Sequence, residues 1–156
     1  MIFAPYNKRH IVASSFPAFQ LAGCTLSIVT HFKYLGHIVD NKLCDDDDIN
    51  REIKCLFMRT NLLSRRFKRC SLQVKLRLFR TFCMCFYGVS LWTNYSAHCI
   101  NKFKSCYIKC IKTFFCLDKY SSVTSMLLDI GLPSATTVLH NCTASFNAQS
   151  ACSNNV

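Results

Sequence analysis

The sequence predicts an α+β chain: a small antiparallel strand region over residues 1–43, then a helical region over 44–146 built on three main helices. Three observations carry this. Before residue 44, short apolar runs are separated by connections holding Gly23 and Gly36, the pattern of hairpins. Beyond it, apolar residues recur at intervals of three, four or seven, the period of an amphipathic helix. The last ten residues, 147–156, are small and polar and predict a disordered tail.

In chain order, Ile2-Phe3 reads as part of a strand whose beginning is cut off. Residues 16–21 and 25–29 flank Ala22-Gly23-Cys24 and predict a hairpin. The strand over 32–39 is interrupted by Gly36, where the backbone can take angles closed to other residues. A sheet this small leaves edges exposed unless something covers them.

The acidic run 45–48 opens the first helix, with Asp47 or Asp48 placed to cap its first turn. Ile49, Ile53, Leu56, Leu63 and Phe67 form its inward stripe, and Arg51, Lys54, Arg59, Arg66 and Arg69 fall largely off it. Ser71 starts a second helix, with Val74, Leu76, Phe79, Phe82, Cys83 and Phe86 inward and Lys75, Arg77 and Arg80 in its first half. The apolar run 82–92 predicts a buried helical core, too short to span a bilayer. A third helix over 96–116 carries the stripe Ile100, Phe103, Tyr107, Ile111 and Phe114. A short helix over 122–130 is stopped by Gly131 and Pro133, and Ser134 caps one or two further turns through His140.

Charge is the strongest functional signal. Net charge is +11, and residues 51–80 hold ten Lys and Arg against Glu52 alone. So one-sided a window fits a phosphate-binding face, because each neutralised phosphate releases a counterion. A solvated face, an acidic protein partner or an anionic membrane surface would show the same pattern.

The twelve cysteines have no C-x-x-C spacing; Cys83 and Cys85 form C-x-C, and Cys106 and Cys110 lie one helical turn apart. Met1-Ile2-Phe3-Ala4 runs into Pro5 and polar residues without the apolar core of a secretory signal. An intracellular, reducing setting, nucleus or cytoplasm, is therefore expected, with the thiols acting as small apolar core residues. His10, His31, His37, His98 and His140 share no spacing suggestive of a metal site or a catalytic dyad. Phe57, Tyr87 and Trp92 lie in apolar runs and are expected to pack, not to stack on bases.

Several stretches together resemble the C-terminal part of the reverse transcriptases of non-LTR (LINE-type) retrotransposons. Met1-Ile2-Phe3-Ala4-Pro5 resembles the end of a palm strand, and Phe32-Lys33-Tyr34-Leu35-Gly36 resembles the primer grip. The segment from Asp45 through Ile53 resembles the entry to the thumb, and Cys70-Ser71-Leu72-Gln73-Val74-Lys75-Leu76-Arg77-Leu78-Phe79 with Tyr87-Gly88-Val89-Ser90-Leu91-Trp92 resembles its next helix. The resemblance implies a palm remnant with a primer-grip hairpin over 1–43 and a thumb over 44–146. It implies that Tyr34, Leu35 and Gly36 meet the primer and that Arg51, Lys54, Arg59, Arg65, Arg66, Arg69, Lys75, Arg77 and Arg80 hold the RNA/DNA primer-template backbone without reading sequence.

The family's catalysis uses aspartates on palm strands that hold two metal ions, Mg in the parent enzyme, and those precede the matched stretch. The 45–48 run follows the Tyr-Leu-Gly turn, and capping and solvent exposure account for it. The chain is thus expected to be a reverse transcriptase fragment without catalytic residues, metal or cofactor, lacking the palm and fingers. The alternatives are a small basic interaction protein facing an acidic partner or anionic surface, and a transposon remnant with no function.

Overall fold

A computed structural model of the chain describes residues 2–3 and 18–153. Residue 16, where the sequence predicts the start of a strand, lies outside the described residues. So do Met1, Ala4, Pro5, His10 and the end of the expected tail.

The strands form three separate pairs. β1 (Ile2–Phe3) runs parallel to β4 (Ile28–Val29). β2 (Gln20–Leu21) and β3 (Cys24–Thr25) form a hairpin across Ala22-Gly23, both with positive φ. β5 (His31–Tyr34) and β6 (His37–Asp40) form the second hairpin, with Tyr34 opposite His37. Its turn residues Leu35 (φ +46°) and Gly36 (φ +88°) both have positive φ, the handedness that matches strand twist. A glycine fits there readily; a leucine is strained.

α1 (Asp46–Phe67) buries Ile49, Ile53, Leu56 and Leu63 of the stripe its periodicity predicts, and Phe67, at its last position, is half-buried against the core. Its N-cap is Asp45, so the expectation of a cap at Asp47 or Asp48 is corrected: Asp48 is turned into the protein and fully buried. α2 (Leu72–Leu78) passes at once into a π-turn, Phe79–Cys83, where Met84 N–H donates to Phe79 C=O at 3.2 Å. The wider turn lets Phe79 and Cys83 face inward together. Val74 and Phe82, expected inward, are 43% and 51% exposed.

The run 82–92 is not the buried helix expected. Gly88 takes φ +78°, and a single 3₁₀ turn, Val89–Leu91, follows. The chain folds back there so that Phe86, Val89 and Trp92 reach the core separately.

α3 (Ala97–Phe115) begins at Ser96, whose Oγ accepts the Cys99 N–H at 3.1 Å, and ends at Cys116 in the left-handed region. Phe103, Tyr107, Ile111 and Phe114 are buried as predicted. α4 (Val123–Ile130) stops at Gly131, φ +69°. α5 (Ala135–Cys152) starts at Ser134, whose Oγ accepts Thr137 N–H at 3.1 Å, and outruns both His140 and the expected onset of disorder at Asn147. No Gly or Pro interrupts residues 135–152, so propagation continues although the outer turns bury little.

The core lies where α1 packs on α3, closed by the π-turn and α5. Phe79 is its centre: its ring stands 5.8–6.1 Å from those of Tyr107, Phe114 and Phe115. Phe103 sits edge-on to Phe86 at 5.1 Å and to Trp92 at 5.6 Å. Among the described residues no helix is long and apolar enough to cross a membrane.

Candidate nucleic-acid interface

The basic window divides into cations used inside the protein and cations left outside. Asp48, with no exposed surface, accepts four hydrogen bonds: from Ile38 N–H at 3.0 Å, Arg51 Nε at 2.6 Å, Arg51 Nη2 at 3.1 Å and Trp92 Nε1 at 2.9 Å. His37 Nδ1 stands 3.0 Å from the same carboxylate. Burial works against the charge, but the Arg51, Trp92 and Ile38 donors outweigh it and hold this carboxyl below the ordinary aspartate value.

Glu52, 1% exposed, pairs with Arg51 Nη1 at 3.1 Å and with Arg59 Nη2. The same two arginines reach the irregular segment after the π-turn, Arg51 Nη2 donating to Tyr87 C=O at 3.3 Å and Arg59 Nη1 to Cys85 C=O at 3.0 Å. The side chains of Asp48, Arg51 and Arg59 thus tie α1 to the β5–β6 hairpin and to residues 85–92.

Arg51 and Arg59, expected on the binding face, are structural. Lys75, also expected there, is 9% exposed, its Nζ 5.9 Å from the Phe114 ring centroid. Arg80 donates Nη2 to Gly131 C=O at 2.7 Å and clasps the end of α4. Four of the nine expected cations are therefore occupied internally.

Lys54, Arg65, Arg66, Arg69 and Arg77 are exposed, as is Lys68. None has an ion pair among the described residues. Lys54 and Arg65 are eleven residues apart on α1, three helical turns, so they share a face about 16 Å long. Arg65 and Lys68 line a groove of about 530 Å³ with Asn61, Ser64, Thr113 and Cys116, between the C-terminal ends of α1 and α3. Helix C-termini each carry roughly half a negative charge, so two whole cations leave this groove net positive.

Of the primer-grip residues, Tyr34 and Leu35 are 63% and 73% exposed, and neither belongs to a sheet core. Gly36 faces Tyr87, where an added Cβ would stand 3.1 Å from the ring. Tyr87 is itself 57% exposed and, with Tyr34, Leu35 and Leu91, lines an apolar groove of about 380 Å³; only Trp92 and Phe57 pack as expected.

The acidic run is not a solvated patch. Asp45 accepts the Thr93 and Asn94 N–H groups at 2.8 and 2.9 Å, and Asp46 accepts Ser96 N–H at 2.8 Å. Only Asp47 is exposed. Among the described residues no group of three His, Cys, Asp or Glu is placed to hold a metal. All twelve cysteines are free thiols; Cys83, Cys99, Cys106 and Cys110 are buried, and Cys24, Cys85, Cys116 and Cys152 are exposed. The chain matches no family model, no curated protein and no solved structure.

Proposed function

We propose that the chain is a nucleic-acid-binding fragment akin to a reverse transcriptase thumb. It holds the backbone of an RNA/DNA duplex without reading sequence and performs no chemistry of its own. One observation carries the reading: Lys54, Arg65, Arg66, Lys68, Arg69 and Arg77 are exposed and form no ion pair among the described residues, while the inner carboxylates are matched by Arg51 and Arg59. Cations without internal partners are those able to exchange counterions for phosphates. The proposed setting is intracellular, and the proposed partners are a primer-template duplex and the palm and fingers of a parent enzyme.

A specific feature favours the rival reading. Met58 and Leu62, 64% and 52% exposed, lie between Lys54 and Arg65 on α1, a mixture that suits an acidic protein or an anionic lipid surface. Competition separates the two. Unlabelled heteroduplex should displace labelled heteroduplex from the protein at concentrations where an acidic polypeptide and anionic vesicles do not. Equal displacement by all three, or no heteroduplex binding at low salt, overturns the proposal.

A further inference from the structure

Ser71 lies in the connection between α1 and α2, exposed, with an extended backbone at φ −61° and ψ 158°. Its hydroxyl makes no capping hydrogen bond. Arg65, Arg66, Lys68 and Arg69, two to six positions upstream, are all exposed and form no ion pair among the described residues. An exposed hydroxyl after a run of cations is the charge pattern by which a kinase with an acidic substrate groove selects its serine. The break in helix at this point matters as much, because the attacking oxygen must line up with the phosphorus and a hydroxyl in mid-helix is poorly placed to do so.

We propose that Ser71 is a phosphate acceptor for a kinase directed to basic sequences, and that its modification turns off the neighbouring basic face. In the transfer the Ser71 Oγ–P bond forms as the bond from the γ-phosphorus to the β,γ-bridging oxygen of ATP breaks. ADP leaves with that electron pair, and the hydroxyl proton passes to the catalytic carboxylate of the kinase. The product places roughly −1.5 to −2 charge and new acceptor oxygens beside the four cations. Guanidinium groups that pair with this phosphate are lost to an external polyanion. This second half rests on the nucleic-acid reading above; the acceptor assignment does not.

The full chain, incubated with ATP, Mg and an arginine-directed serine kinase, should gain one phosphoryl group, located at Ser71 by tandem mass spectrometry and absent in Ser71→Ala. Ser105 is the internal control: Lys102 and Lys104 precede it, but it lies within α3 and should stay unmodified. No incorporation, or incorporation at Ser105 in preference to Ser71, overturns the assignment. The phosphorylated protein should bind an RNA/DNA hybrid about tenfold more weakly than the unmodified protein at equal salt; unchanged affinity overturns the switch. An unmodified protein with no hybrid affinity refutes the earlier functional reading and leaves the acceptor decided by mass alone.

Discussion

Trp92 donates its indole N–H to Asp48 Oδ2 at 2.9 Å, joining the segment before α3 to the first turn of α1 across 44 residues of sequence. The same carboxylate receives Ile38 from the hairpin and Arg51 from its own helix. A single buried side chain therefore ties the β5–β6 hairpin, the first turn of α1 and the segment before α3 to one another.

Replacing Asp48 by Asn should lower stability by about 3–5 kcal/mol, since removing one partner leaves Arg51 and the indole poorly matched in a buried site. Urea titration at neutral pH measures this. The folded carboxyl titrates below its unfolded value of 3.8, so its contribution is complete above that pH and is lost as pH falls through and below it. Wild-type stability should drop in that acid range, and the Asn variant should drop less steeply.

Arg51→Ala should destabilise by about 3–5 kcal/mol, because it removes the arginine that pairs with both buried carboxylates, Asp48 and Glu52. Arg59→Ala should cost less, since Arg51 Nη1 still pairs with Glu52. Changing Arg65, Arg66, Lys68 and Arg69 together to Ala should leave the melting temperature nearly unchanged. It should reduce the slope of log K against log salt for hybrid binding by about 3, near 0.7–0.9 for each phosphate no longer neutralised. If the slope stays constant while affinity falls, those residues do not touch phosphates.

At the hairpin turn, Leu35→Asn should stabilise the protein by roughly 0.5–1 kcal/mol. Leu35 has positive φ and is 73% exposed, so the change relieves strain and removes little packing. Thermal melts of the two proteins decide it; a lower melting point for the Asn variant would mean the leucine packs against a neighbour strongly enough to outweigh its backbone.

Native-state alkylation should modify Cys24, Cys85, Cys116 and Cys152 first and leave Cys83, Cys106 and Cys110 protected until unfolding. Burial also pushes the Cys83 thiol up to about 11, which keeps it from forming the reactive thiolate at neutral pH. Peptide mapping after timed labelling gives the order.

Signals in the sequence are legible where a local cause suffices. The α1 and α3 stripes, the start of α3 at Ser96, the Ser134 cap, the Gly131 stop and the turn at Gly36 each follow from residues within one or two turns. What escapes the sequence depends on distant partners. Asp48 looks like a helix-entry acid until Ile38 and Trp92 arrive from ten and 44 residues away. Arg51 and Arg59 look like surface cations until the Tyr87 and Cys85 carbonyls arrive from 36 and 26 residues away, and Lys75 lies over the Phe114 ring of α3. Within the π-turn Phe79–Cys83 the spacing departs from that of an α-helix, and Phe82 is exposed where regular spacing predicts burial. Glycine at 88 is a visible hint that residues 82–92 cannot remain one helix.

Because Asp45, Asp46, Asp48 and Glu52 are engaged within the fold, few carboxylates remain to meet the cations of a second molecule. Identical copies should repel one another at low ionic strength and stay dispersed. A long polyanion would reverse this by threading many copies together, so turbidity on adding one, and clearing on adding salt, would report the outward imbalance of charge directly.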